Sequence, residues 1–170
     1  MAKPTVYLDT TIISAYWFEG KDPIVFTRRL FSRRWWTDER QFFVLYTSIV
    51  SEREFRAGRY ARQEECIKMN RRLNYLSPNK AVRELGRELL DRHVVPLTKP
   101  DDAAHLAVAS VHGIDYLLTW NYAHLANPEV QKHLTEICKA RGLSTPTLVT
   151  PESIPWASHG QRIKRRKDHS

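Results

Sequence analysis

Short apolar runs alternate with longer amphipathic stretches along this chain, and that alternation limits the possible folds more than any other feature. Thr5–Asp9, Phe42–Tyr46, Leu73–Leu76, Tyr116–Thr119 and Thr147–Val149 read as short strands; Phe42–Tyr46 is apolar throughout, as a strand buried on both faces should be. Between them lie helical patterns. Ile12 to about Phe18 is capped by Thr10 or Thr11, and Ile24 to Trp36 follows a loop at Gly20–Pro23. Ser48 opens a helix that Gly58 ends, and Glu64 to about Arg72 is the next. Ser77-Pro78 starts a helix to Arg92, Pro100 to His112 is ended by Gly113, and Asn127 to Arg141 is the last. Strands alternating with helices imply a parallel sheet covered on both faces. The expected fold is α/β, a three-layer α/β/α sandwich around a central, mostly parallel sheet.

The 170 residues suit one ordinary domain, expected over residues 1–155, and are too few for two. Residues 156–170 form a basic appendage, expected to be disordered, with Arg162, Lys164, Arg165, Arg166 and Lys167 against Asp168 alone. The formal charge of +8 favours polyanionic partners, nucleic acid first among them. Cys66 and Cys138 show no metal-binding or disulfide spacing, which fits a reducing compartment. The chain enters a strand pattern at once, with no signal-peptide pattern and no apolar run of membrane-spanning length. A cytoplasmic protein without a membrane partner is expected.

In parallel sheets, ligands bind beyond the carboxyl ends of the strands. Asp9 stands at the end of the first strand and Asn121 just past the fourth, while Glu54 and Asp102 lie on helices that leave the same edge. Asp9 alone would read as a helix cap or turn residue; with the others it reads as part of an oxygen-donor site for Mg²⁺ or Mn²⁺ rather than zinc. Glu52 and Glu54 are two apart on a helix and cannot both face the site. Glu54 is taken for the site and Glu52 for pairing with Arg53 or Arg56. Asp101 can answer a Thr98 cap as in a capping box, leaving Asp102 for metal. His105 lies one turn beyond Asp102 on the same face, either orienting a carboxylate or phosphate or packing at the rim of the core. Asp115 precedes its strand and belongs at the opposite end.

Four blocks carry a family resemblance: Tyr-Leu-Asp-Thr-Thr-Ile-Ile-Ser at 7–14, Thr-Ser followed by Glu54 and Gly58, Asp102-Ala-Ala-His-Leu-Ala, and Gly113-Ile-Asp-Tyr-Leu-Leu-Thr-Trp-Asn-Tyr-Ala-His. Together, from about Val6 to Ile154, they resemble the PIN domain, most closely the VapC-like toxins. The resemblance implies a small α/β/α sandwich and Mg²⁺- or Mn²⁺-dependent endoribonuclease activity, with the family's acidic residues at Asp9, Glu54 and Asp102. PIN nucleases usually carry a fourth acidic residue where this chain has Asn121. An amide can complete a metal shell, with less charge to hold the ion. The resemblance also implies an antitoxin partner or a homodimer.

Such a site lowers the pKa of a metal-bound water and neutralises charge on a phosphodiester. Asp9 is expected as central ligand, Asp102 as second ligand, Glu54 as ligand or water-orienting base, and Thr11 as a support behind them. Arg28, Arg29, Arg33 and Arg34, with Trp35 and Trp36, offer either a solvated face with a protein interface or a grip on RNA with base stacking; the first is favoured. Two functions compete: a metal-dependent ribonuclease, and a PIN-fold module weakened at Asn121 that binds RNA or protein without cutting. A haloacid-dehalogenase-type phosphatase needs a second aspartate two residues after the first, where this chain has Thr11.

Overall fold

The computed structural model describes residues 2–154. The basic appendage at 156–170 lies outside them. Five strands, β1 (Thr5–Leu8), β2 (Val44–Ser48), β3 (Asn74–Leu76), β4 (Tyr116–Leu118) and β5 (Thr147–Val149), form one sheet in the order β3-β2-β1-β4-β5. Every pairing is parallel, with Tyr7 opposite Tyr46 on one side and Leu117 on the other. Among the described residues, seven α-helices connect and flank the strands: α1 (Thr10–Trp17), α2 (Pro23–Arg34), α3 (Ile49–Arg56), α4 (Gln63–Asn70), α5 (Lys80–Asp91), α6 (Pro100–Val111) and α7 (Pro128–Ala140).

Side-chain alternation along β1 divides the core into layers. Tyr7 packs with Leu85, Leu89, Leu106, Leu117 and Leu134 against α5, α6 and α7. Val6 and Leu8 pack on the other face with Ile12, Trp35, Phe43 and Leu118. Each fully buried leucine contributes about 2 kcal/mol of transfer free energy, so both faces of the short strands are held. This is the expected α/β/α sandwich, with a sheet that is parallel throughout.

Several boundaries differ from expectation, each for a local reason. The cap of α1 is Asp9 itself, not Thr10 or Thr11, because its carboxylate accepts from the Thr11 backbone N–H. α2 does not stop cleanly at Trp36; it runs on through a π-helical turn at Trp35–Glu39 and a 3-10 turn at Arg40–Phe42. β2 therefore begins at Val44 and reaches Ser48, two residues later than expected at each end. α5 starts at Lys80 because the Asn79 side chain, not Ser77, caps it through the Val82 N–H. No side chain caps α6, so the Thr98–Asp101 capping box does not form. Gly58 and Gly113 follow α3 and α6 at φ of 87° and 65°, conformations that glycine takes without the usual Cβ penalty.

Strand order reverses between β1 and β4: the chain goes outward from β1 to β2 and β3, then returns to β4 and β5 on the other side. The crevice at this switch point is where open parallel sheets present ligand sites.

Candidate active site

Asp9 sits directly at that crevice and is only 2% exposed. Its Oδ1 accepts from the Thr11 backbone N at 3.0 Å and from Thr11 Oγ1 at 2.5 Å, while Oδ2 accepts from Thr119 Oγ1 at 2.5 Å. The loop after β4 sets the direction of both hydroxyls. Trp120 N donates to Thr11 Oγ1 at 2.8 Å and Asn121 N to Thr119 Oγ1 at 2.9 Å, so each hydroxyl accepts from the backbone and gives its own hydrogen to Asp9.

Asp102, in the first turn of α6, meets the same loop. Asn121 Nδ2 donates to its Oδ1 at 3.2 Å, and His124 Nδ1 lies 3.0 Å from its Oδ2. The Asn121 amide is fixed from behind, because its Oδ1 accepts from the His124 backbone N at 3.1 Å. Only the NH₂ end is left for Asp102. Asn121 was expected to present an oxygen to a metal; that oxygen accepts one hydrogen bond from the loop and keeps a second lone pair.

Glu54, on α3, is held by a buried chain of polar groups. Its Oε2 lies 2.6 Å from His105 Nε2, His105 Nδ1 lies 2.7 Å from the Tyr7 hydroxyl, and that hydroxyl lies 2.8 Å from Ser48 Oγ. Ser48 also caps α3 by accepting from Val50 N at 3.2 Å. His105 is 1% exposed and orients a carboxylate. Glu52 points away, accepting from Arg56, Arg71 and the Tyr75 hydroxyl at 3.0, 2.8 and 2.9 Å. Asp101 pairs with Arg53. Asp115 accepts from Thr5 at the amino end of β1, away from this site.

The structure thus brings Asp9, Glu54, Asp102 and Asn121 to one edge. Three partners went unread in the sequence: Tyr7, Thr119 and His124. Tyr7 had the apolar setting of a core residue. Thr119 and His124 carried one signal, their spacing of two and three residues from Asn121.

The PIN domain family model matches residues 6–126, which contain every residue of this edge. The chain belongs to the PIN domain family. No curated protein matches it. The PIN domain is generally a nuclease fold; its nucleases are hydrolases that usually use divalent metals, and the family suggests nucleic-acid binding. No helix among the described residues is long and apolar enough to cross a membrane.

The electrostatics of this PIN domain are those of carboxylates short of positive charge. Burial pushes the Asp9 carboxyl up from 3.8 to about 6, against the opposing pull of His105 and the hydrogen bonds from Thr11 and Thr119. Burial likewise raises Asp102, opposed by His105 and His124. Glu54 pushes both upward, which places the three carboxylates within electrostatic reach. Burial works against a charge on His105, but Tyr7, Glu54 and Asp9 outweigh it and hold its pKa well above the ordinary value. A protonated ring would donate from Nε2 to Glu54 and from Nδ1 to Tyr7, whose own hydrogen would then go to Ser48.

Among the described residues, no group of three or more His, Cys, Asp or Glu side chains is placed to hold a metal ion. Mg²⁺ rarely needs one: it is commonly held by one or two carboxylates and keeps several waters. Asp9 and Asp102 have neither Lys nor Arg as an ion-pair partner among the described residues. One buried and one partly buried carboxylate, the second touched only by His124 among basic side chains, are hard oxygen donors that fit a divalent cation.

Proposed function

We propose that this PIN domain is a metal-dependent endoribonuclease that hydrolyses RNA phosphodiester bonds, acting as the toxin of a VapC-like toxin–antitoxin pair. The observation that carries the reading is the buried Asp9 carboxylate at the switch point, oriented by two threonine hydroxyls and ion-paired with no Lys or Arg among the described residues. A carboxylate held there at a cost in desolvation fits a divalent cation as its partner.

Asp9 and Asp102 would hold Mg²⁺ or Mn²⁺, with Glu54 as a third ligand or as the base that takes a proton from the attacking water. The bound ion would supply a more acidic water and offset charge on the phosphate. Thr11 and Thr119 keep both Asp9 oxygens in a fixed plane. His105 keeps Glu54 turned toward the site. Asn121 and His124 hold Asp102 in one rotamer. Each support removes a reorganisation that would otherwise accompany the reaction. A second copy of the chain or an antitoxin would find exposed apolar contact at Phe26 and Leu30 on α2.

One observation favours a second reading. The Asn121 amide is engaged at both ends and adds no charge to the site, as a module that binds RNA without cutting it would tolerate. Cleavage of a structured RNA pool with Mg²⁺, with Mn²⁺ and with EDTA, for the parent and for Asp9→Asn, separates the two. Metal-dependent cutting lost in the variant supports the nuclease. Metal-independent binding without cutting supports the module. Cutting that survives Asp9→Asn removes the proposed site.

A further inference from the structure

The four arginines of α2 do different things. Arg29 bonds the Phe18 carbonyl and lies over the Phe26 ring; Arg33 bonds the Tyr16 carbonyl at 2.9 Å and lies over the Tyr16 ring. Both tie α2 to the end of α1. Arg34 lines a small cavity with Glu39. Arg28 alone turns toward the active-site loop, its guanidinium carbon 5.9 Å from the Trp120 ring centre and 5.8 Å from that of Tyr122. No carboxylate among the described residues pairs with it.

Arg28 and Trp120 form the shared wall of two open cavities of about 250 and 380 Å³. The first is bordered by Thr10, Thr11 and Ser14, so it opens beside Asp9. The second is bordered by Ile24, Tyr122 and Glu152. The wall is rigid: Trp120 is buried and its indole Nε1 donates to Ser32 Oγ at 2.8 Å. Tyr122 stands out from it, 47% exposed. These two aromatics flank Asn121, whose amide holds Asp102. The groove is therefore built from the same loop as the carboxylate site.

We propose that this groove is a nucleotide subsite for single-stranded RNA, with an unpaired base laid on the Tyr122–Arg28 platform and a backbone phosphate met by the Arg28 guanidinium. The inference rests on the ribonuclease reading and names the form of its substrate. The chemistry matches on three counts. A guanidinium held over two aromatic rings, one of them half exposed, offers planar surfaces on which any base stacks, as single-strand binders require. A cation with no ion pair among the described residues, in a partly buried groove, favours an anion, and the compartment at Thr10, Thr11 and Ser14, whose lining holds no acidic side chain, gives it room. A duplex cannot splay a base onto the platform, so paired RNA gains nothing from it. The platform is also separate from the apolar part of α2: Ile24 and Arg28 are four apart and share the groove side, whereas Phe26 and Leu30 share another.

The test is equilibrium binding of a short single-stranded RNA and of a duplex of the same sequence, in EDTA, with Asp9→Asn throughout so that nothing is cut. Added Tyr122→Ala should weaken single-strand binding about tenfold and leave duplex binding unchanged, while Tyr122→Phe should bind as the parent does. Arg28→Gln should weaken binding and lower the salt slope by about one. Loss of single-strand and duplex binding alike, no loss in Tyr122→Ala, or no single-strand binding by the parent would each overturn the proposal. So would a Tyr122→Ala variant whose RNA binding is intact but whose molecular mass in sedimentation has changed, since the groove would then belong to a protein. Cleavage by the unmutated protein is scored separately. A chain that shows the platform but never cuts loses the nuclease reading alone, and one that cuts equally well without Tyr122 loses the platform alone.

Discussion

His105 Nε2 lies 2.6 Å from Glu54 Oε2, and this contact fixes which of the two α3 glutamates faces the active-site edge. Glu52, two residues earlier, is taken up by Arg56, Arg71 and Tyr75 on the outside of the fold. A helix turns about 200° over two residues, so the division of roles follows from spacing once either residue is pinned. His105→Ala should cost about 3 kcal/mol, because it leaves the Glu54 carboxylate without its partner and the Tyr7 hydroxyl with Ser48 alone. Urea unfolding measures that loss. RNA cleavage should fall well beyond it at temperatures where the variant is folded, and His105→Gln should recover part of the stability but little of the cleavage. Equal recovery of both would make His105 purely structural.

Glu52 gives a prediction in acid. Hydrogen bonds from Arg71 and Tyr75, with a further one from Arg56, hold its carboxyl near 2, below the ordinary 4.5. The folded state thus favours the charged form, so its contribution is complete above about pH 4.5 and disappears as pH falls toward 2. Glu52→Gln should lose about 2 kcal/mol near neutral pH, and the gap to the parent should close on acidification. Denaturant titrations at a series of pH values read it out. A gap that stays constant with pH would mean that shape, not charge, holds Arg71 and Tyr75 in place.

Much of this was legible in the sequence, and the exceptions have physical causes. Apolar runs and amphipathic patterns, with Pro100 in the first turn of α6, locate most elements, whereas Pro78, read the same way, lies before the start of α5. The start of β2 was misplaced because Phe42 and Phe43 have strand-like side chains, yet the turns leaving α2 use Phe42 and Phe43 only ends them. Composition cannot separate an apolar turn from an apolar strand. Asp9, Glu54, Asp102 and Asn121 could be nominated because strand ends and the helices that meet that edge converge by topology. Their supports could not: Tyr7 to His105 and Thr119 to Asp9 are joined across 98 and 110 residues, and nothing in either neighbourhood announces the other.

Divalent metal should stabilise the parent against unfolding. An ion present at about ten times its dissociation constant adds about 1.4 kcal/mol, read as a rise in thermal midpoint between EDTA and Mg²⁺. Asp9→Asn and Asp102→Asn should each abolish most of that rise. Asp101→Asn should keep it, because Asp101 is engaged with Arg53 outside the site. A rise that persists in both Asp9→Asn and Asp102→Asn would place the ion elsewhere.

Asn121→Asp restores the acid that PIN nucleases usually carry here, and its sign should depend on metal. The new carboxylate can still accept from the His124 backbone N–H, but the Nδ2 hydrogen bond to Asp102 becomes a carboxylate facing a carboxylate. In EDTA the variant should be about 1–2 kcal/mol less stable than the parent, from the lost hydrogen bond and like-charge repulsion. A cation between the two groups turns that repulsion into binding energy, so Mg²⁺ should raise the thermal midpoint of Asn121→Asp by more than it raises the parent's, and cleavage should increase. If the variant is equally destabilised with and without metal, position 121 does not face the ion, and the amide at that position is no handicap to the site.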